Sequence, residues 1–219
     1  MEAKKGRREM KKFELTTESI TNALGKKLFR IKAMVEFGDV KAGELGGYVE
    51  KEGNVSQDGN AWVYEDAAVY GDAKVYEDAQ VYGYAQVYGD ARVYGDAQVY
   101  GDARVYGYAQ VSGNAWVYGD AAVSGNAWVY GDAAVSGNAW VYGDADYACI
   151  KGFGTKFRHT TFYKTKENGI GVKCGCFNGS LEQFREQVKE TRTGKIVKEY
   201  LAIADLMEYH FARGGSDDE

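Results

Sequence analysis

Proline is absent from all 219 residues, histidine occurs twice and cysteine three times. Without proline, every backbone N–H is available to a hydrogen-bonded ladder, which suits a chain lying on or beside strands almost throughout. Cys149, Cys174 and Cys176 are odd in number and too few for a disulfide scaffold, so a reducing cytoplasm is the expected setting. No stretch reaches the roughly 18 to 20 apolar residues that a membrane span requires. The N-terminus is basic, but Phe13 to Asn22 is mostly polar where a signal peptide would be apolar, so export is not expected. A net charge of -5 argues against bulk attraction to nucleic acid or anionic membrane.

Glycine and tyrosine are plentiful, with 29 and 18 copies, and most belong to a repeat. Ala61 to Asp144 divides without a gap into fourteen six-residue units, each with Ala first and Val third, as in Ala-Gln-Val-Tyr-Gly-Asp. Side chains alternate along a strand, so Ala and Val share one side while the second residue and Tyr share the other. Gly-Asp or Gly-Asn then supplies a corner, because Gly accepts positive φ freely and Asn or Asp better than most residues. A 3.6-residue period would scatter the valines around a helix, whereas a period of six places them at equivalent sites of a solenoid. Gly53-Asn54 and Gly59-Asn60 suggest two degenerate units before the regular run.

The Val-Tyr-Gly-Asp-Ala-x pattern resembles the hexapeptide motif of left-handed parallel β-helices. That resemblance implies a mainly β fold, a left-handed parallel β-helix in which three hexapeptides form one triangular coil of 18 residues. About five coils are expected over residues 49–145, with Val63, Val81, Val99, Val117 and Val135 in one interior ladder. Outside, Tyr64, Tyr82, Tyr100 and Tyr118 should stack on one face and Tyr70, Tyr88 and Tyr106 on another. Trp116, Trp128 and Trp140 recur every 12 residues against an 18-residue coil and therefore fall on three different faces.

Open strand edges at the ends of a solenoid call for caps. Residues 1–12 form the expected basic, flexible tail, with Lys4, Lys5, Arg7, Arg8, Lys11 and Lys12. Residues 13–48 form an N-terminal β cap with strands expected over Lys12 to Thr16 and Lys27 to Val35. Its Phe37-Gly-Asp-Val-Lys-Ala-Gly-Glu-Leu-Gly-Gly run resembles the cap of bacterial and bacteriophage hexapeptide-repeat proteins. Residues 146–219 read as a ββαα module: strands over Thr160 to Thr165 and Gly169 to Phe177, then helices over Leu181 to Thr191 and Lys195 to Arg213. Ser180 is placed to cap the first helix with Gln183 in a capping box. The module's FRHTTFYKT and KCGCF stretches resemble a piece recurring in phage and Firmicutes proteins.

The familiar enzymes of the β-helix class are acyltransferases, with a coil or loop histidine as base, and γ-class carbonic anhydrases, with three zinc-bound histidines. Here His159 and His210 both lie outside the coils, and no loop interrupts them, so the resemblance carries over the fold without catalytic residues. Cys174-Gly-Cys176 would put two thiols on one strand face, and Cys149 with His159 could complete a zinc site; ordinary buried thiols are the alternative. No cofactor is expected.

The expected function is therefore non-catalytic: a phage or prophage type of binding protein in the cytoplasm of a bacterial host. It would use an acidic rod, where residues 61–144 carry a net charge of -8, together with the C-terminal module. Trp116, Tyr118, Trp128, Tyr130, Trp140 and Tyr142 are the candidate contacts; stacking along the sheet is the alternative role for these rings. The partner is a protein or small ligand, with inhibition of a host defence protein or sequestration of a nucleotide signal as concrete versions. Direct nucleic-acid binding is not expected, and a trimer is open. A hexapeptide-type acyltransferase is the alternative.

Overall fold

The computed structural model describes residues 10–212. Three antiparallel strands come first, β1 (Phe13–Thr21), β2 (Lys27–Ala33) and β3 (Leu45–Val49). Fourteen two-residue strands, β4 to β17, follow at six-residue spacing from Trp62–Val63 to Trp140–Val141. The chain then forms β18 (Tyr147–Phe153), β19 (Arg158–Lys164), β20 (Ile170–Cys174), β21 (Phe177–Ser180), α1 (Leu181–Thr191) and α2 (Gly194–Ala212).

Each short strand pairs in parallel with the one 18 residues on, as in Val81–Val99–Val117 and Val87–Val105–Val123. The strands therefore divide among three sheets, the three sides of a parallel β-solenoid of about five turns. One sheet is β4, β7, β10, β13, β16; the second is β6, β9, β12, β15; the third carries β5, β8, β11, β14, β17 and is extended by β3, β2 and β1. Every repeat Ala and Val from Ala61 to Val141 is buried, so the interior is a narrow column of small aliphatic side chains. Burial of each valine contributes roughly 1.5 to 2 kcal/mol before chain entropy is subtracted.

The corners explain the glycines. Gly95 has φ +71°, and a Cβ there would meet the backbone N of Gly113, one coil on, at 2.9 Å. Two units carry Glu in this place, Glu65 (φ 54°) and Glu77 (φ 61°). Their carboxylates accept hydrogen bonds from the amides of Gly83 (2.9 Å) and Gly95 (2.8 Å) one coil further, offsetting the left-handed strain.

At the N-terminal end the degenerate units are longer than the repeat. Val49 pairs with Val69 and Val55 with Val75, twenty residues apart, because residues 56–60 form a wider corner. This corner receives the N-terminal segment: Gln57 Oε1 accepts from the Lys12 amide (2.8 Å) and its Nε2 donates to the Phe13 carbonyl (3.2 Å). Phe13 and Phe37 pack edge-on against Trp62, which is wholly buried although the equivalent tryptophans of later coils are exposed. A Cβ at Gly46 would lie 2.6 Å from the Trp62 ring, which accounts for one glycine of the Leu-Gly-Gly run.

The expected tail boundary at residue 12 is corrected here. Lys12 is buried, with its ammonium donating to the carbonyls of Ala61 (2.9 Å) and Gly59 (3.2 Å), and Lys11 pairs with Glu52 at 2.8 Å. Desolvation pulls the Lys12 ammonium down to about 8, against the opposing pull of Asp58 and Asp78. Lys4, Lys5, Arg7 and Arg8 lie outside the described residues. The strand expected from Lys12 to Thr16 runs on to Thr21 across a register shift between Leu15 and Ser19.

The module is also corrected, from ββαα to ββββαα, with sheet order β18-β19-β20-β21. β18 reads Tyr-Ala-Cys-Ile-Lys-Gly-Phe and β21 reads Phe-Asn-Gly-Ser; both are strands because they pair with β19 and β20, not because their own patterns are strong. The expected strand from Gly169 to Phe177 breaks at a turn where Gly175 takes φ +60°. Helix α1 has the expected bounds and capping box, Ser180 Oγ accepting from the Gln183 amide and Gln183 Oε1 from the Ser180 amide. In α2, Tyr200, Ile203, Ala204, Met207 and Phe211 are buried; Arg213 is outside the described residues.

Strand β19 joins the two hydrophobic cores. Tyr163 points into the solenoid core and Phe162 into the module core, as alternation along a strand requires. Side chains stand in for the missing next coil: Thr161 Oγ1 accepts from the Ala134 amide (3.0 Å), Asp144 accepts from the Trp128 amide (2.8 Å), and Tyr147 donates to the Trp128 carbonyl (2.6 Å).

Gly95→Ala and Gly131→Ala separate the two demands on a corner glycine, since Gly131 (φ +67°) has nothing within 4 Å of a new Cβ. Gly131→Ala is expected to destabilise by about 1 kcal/mol, and Gly95→Ala by a further ~1–3 kcal/mol from steric overlap with the next coil. Paired thermal or urea denaturation measures the difference.

Candidate functional site

The outward surface is organised by ring stacking between coils. Tyr70–Tyr88, Tyr88–Tyr106, Tyr82–Tyr100, Tyr100–Tyr118 and Tyr76–Tyr94 are near-parallel with centroids 4.9 to 5.0 Å apart. The hydroxyls of Tyr70, Tyr82 and Tyr94 donate to Gln86, Gln98 and Gln110, each 16 residues on, so ring and amide interlock diagonally. At one such position in the last coils the pair is Ser with Trp: Trp128 Nε1 donates to Ser112 Oγ at 2.8 Å. Serine in place of tyrosine leaves room for the indole.

The six candidate aromatic residues do not converge. Trp116, Trp128 and Trp140 lie on three different sheets, as their 12-residue recurrence implies, with exposures of 45%, 44% and 47%. Tyr118 stacks on Tyr100, and Lys173 Nζ lies 5.9 Å from its ring centroid. Tyr142 is exposed at the end of its sheet. Trp128 and Tyr130 do come together, with centroids 5.3 Å apart and planes inclined by 48°.

That pair forms one wall of a cleft of about 780 Å³ where the last coil meets the module. Asp132 and Asp144 bring carboxylates from the corners, and β18 and β19 bring Tyr147, Cys149 and His159. His159 Nε2 lies 3.3 Å from Asp132 Oδ2, within ion-pair reach but without hydrogen-bond alignment. On its other side, His159 Nδ1 is 3.9 Å from Cys149 Sγ. Partial desolvation and the Asp132 charge push the Cys149 thiol up, opposed by a hydrogen bond from Thr161. The cleft wall thus carries a thiol, an imidazole and two carboxylates beside the aromatic pair. Sequence reading paired Cys149 with His159 only as metal ligands and did not connect either to Trp128, which lies on a different element.

The four-ligand zinc arrangement is overturned. Cys149 pairs opposite Thr161 and Cys174 opposite Thr160, and these successive residues face opposite sides of the sheet. Cys176 sits in the turn after Gly175 rather than on a strand with Cys174. Among the described residues no three His, Cys, Asp or Glu side chains are grouped to hold a metal ion. His210 is exposed and lies edge-on to Phe211.

Residues 85–97, 97–113 and 109–125 match the model of the YdcK beta solenoid repeat. The chain is a β-solenoid repeat protein. The matched residues lie in the middle of this solenoid, while the cleft lies beyond them. No curated protein matches the chain. Among the described residues no helix is long and apolar enough to cross a membrane.

The ladder makes the solenoid sensitive to alkali. Burial, and then the charge of the neighbouring ring, push the Tyr70 and Tyr100 phenols up to about 12. The folded state thus favours the neutral ring; its stabilisation is complete below the ordinary phenol value of 10.0 and is lost as pH rises from there through 12. The melting temperature is expected to be flat with respect to these phenols up to about pH 9.5 and to fall steeply above it. Ultraviolet titration of tyrosinate alongside the melt checks the assignment.

Proposed function

We propose that this solenoid is a non-catalytic binding protein of the bacterial and bacteriophage hexapeptide-repeat type, acting on a protein partner in the host cytoplasm. The single observation that carries the reading is the cleft at the rod's C-terminal end, where an exposed Trp128–Tyr130 pair stands beside Asp132 and Asp144. Aromatic faces next to carboxylates suit a basic side chain, which gains cation–π contact and ion pairing together. The partner is therefore a protein presenting Lys or Arg, with inhibition of a host defence protein as the concrete version.

Two other versions have less support. Tyrosines already stacked at 4.9 Å leave no gap between rings for a nucleobase. Imitation of a nucleic-acid backbone would want unbroken rows of carboxylates. Along the corners, however, Tyr84 and Asn138 flank Asp102 and Asp120, Asn60 and Asn114 flank Asp78 and Asp96, and Tyr108 follows Asp72 and Asp90.

Affinity capture from a bacterial lysate tests the reading with three proteins: the unmodified chain, Trp128→Ala with Tyr130→Ala, and Trp116→Ala. The expected result is a partner captured by the first and third, lost from the second, and released as salt rises. Retention by the double variant would overturn the cleft as the binding surface.

A further inference from the structure

The module contains a second, more enclosed cavity of about 230 Å³ whose character is opposite to that of the rod. Its floor is apolar: Phe184, Val188 and Tyr200 are buried, with Phe177 and Cys174 partly so. Its rim carries Lys156 and Arg158 from the β18–β19 hairpin and Arg192 from just beyond α1. All three cations are exposed.

These cations are not spent on neighbouring acids. The module's Lys and Arg side chains in ion pairs are Lys164 with Asp146, Arg185 with Asp205 and Glu208, and Lys195 with Glu199. Lys156, Arg158 and Arg192 make none among the described residues. Three like charges line one apolar hollow in a chain of net charge -5, where an anion would find charge-assisted partners. Arg192 follows the last turn of α1, where a cation also offsets the helix's carbonyl end. Lys156 and Arg158 belong to another element, and that explanation does not reach them.

The walls are held in place by packing. Gly154 (φ +69°) allows Tyr200 to approach the hairpin closely, and the Tyr200 hydroxyl donates to the Phe153 carbonyl at 3.4 Å. Phe184 meets Tyr200 edge-on at 5.7 Å, and Gly175 leaves space for the Arg158 side chain across the β20–β21 turn. The hollow is thus formed before a ligand arrives.

We propose that this pocket binds a small aromatic anion, its ring on Phe184, Val188 and Tyr200 and its carboxylate or phosphate between Arg158, Arg192 and Lys156. Guanidinium groups give such headgroups paired, charge-assisted hydrogen bonds. The volume is below the roughly 300–1,000 Å³ of drug-sized sites, so it suits a single ring with its headgroup. This site is separate from the Trp128 cleft and does not depend on what binds there.

Phenyl phosphate and benzoate are the probes, with benzyl alcohol as the neutral analogue and inorganic phosphate as the headgroup alone. The intact chain should show a saturable rise in melting temperature of about 2 °C or more with either aromatic anion at about 10 mM. Benzyl alcohol and inorganic phosphate should each give much less. Arg158→Gln and Arg192→Gln, at exposed positions, are each expected to weaken binding about tenfold, whereas Lys74→Gln on the rod leaves it unchanged. Amide chemical shifts should move at residues 155–158, 174–177 and 187–192, which reports binding even if a variant is less stable. Absence of these shifts with both anions, equal binding of benzyl alcohol, or undiminished binding by the Arg158→Gln, Arg192→Gln double variant would overturn the proposal.

Discussion

Coil-to-coil pairing through the backbone is the constraint from which the rest of the structure follows. Once Val81 pairs with Val99 and Val99 with Val117, each residue of the regular run lies above its own counterpart 18 positions away at a strand spacing of roughly 4.8 Å. Any side chain that cannot tolerate a copy of itself at that distance is excluded or interrupted. Ala and Val tolerate it inside; tyrosine tolerates it outside by offset stacking. A glycine corner tolerates it because no Cβ meets the next backbone.

Charge obeys the same rule. Two carboxylates about 4.8 Å apart in water repel by roughly 0.9 kcal/mol, and an unbroken row would accumulate that cost. Among the sixth-position residues no corner carries more than two successive aspartates before Asn or Tyr intervenes. Where Asn meets Asp it contributes a bond: Asn60 donates to Asp78 at 2.6 Å and Asn114 to Asp132 at 3.0 Å. The irregular units of the repeat thus relieve strain that perfect repetition would create. The acidic character that supports a basic partner is distributed in pairs rather than as a continuous stripe.

The ends depart from repetition because they have no further coil to pair with. At the N-terminal end Lys12 and Gln57 supply donors and acceptors to exposed strand groups. At the other end Asp144, Tyr147 and Thr161 do so, and the module is fixed on the rod by Tyr163. The concave sites arise here too. At the junction and inside the module, strands and helices meet at angles and enclose space.

The repeat was legible in the sequence because its information is local and periodic: the inward Ala and Val, the ladders apart from Tyr64, which meets Tyr82 edge-on at 6.5 Å instead of stacking, the three tryptophan faces and the α1 capping box each follow from spacing alone. The extra strands β18 and β21 were not, since their residues become strands only by pairing with β19 and β20. Nor was the role of Lys12, whose burial depends on a corner 46 to 49 residues away. The grouping of Trp128 with His159, and of Arg158 with Arg192 over Phe184, was decided by tertiary packing. Periodicity determines which face of an element a side chain occupies, whereas a site needs the distance between elements, and that is set only when their cores close together.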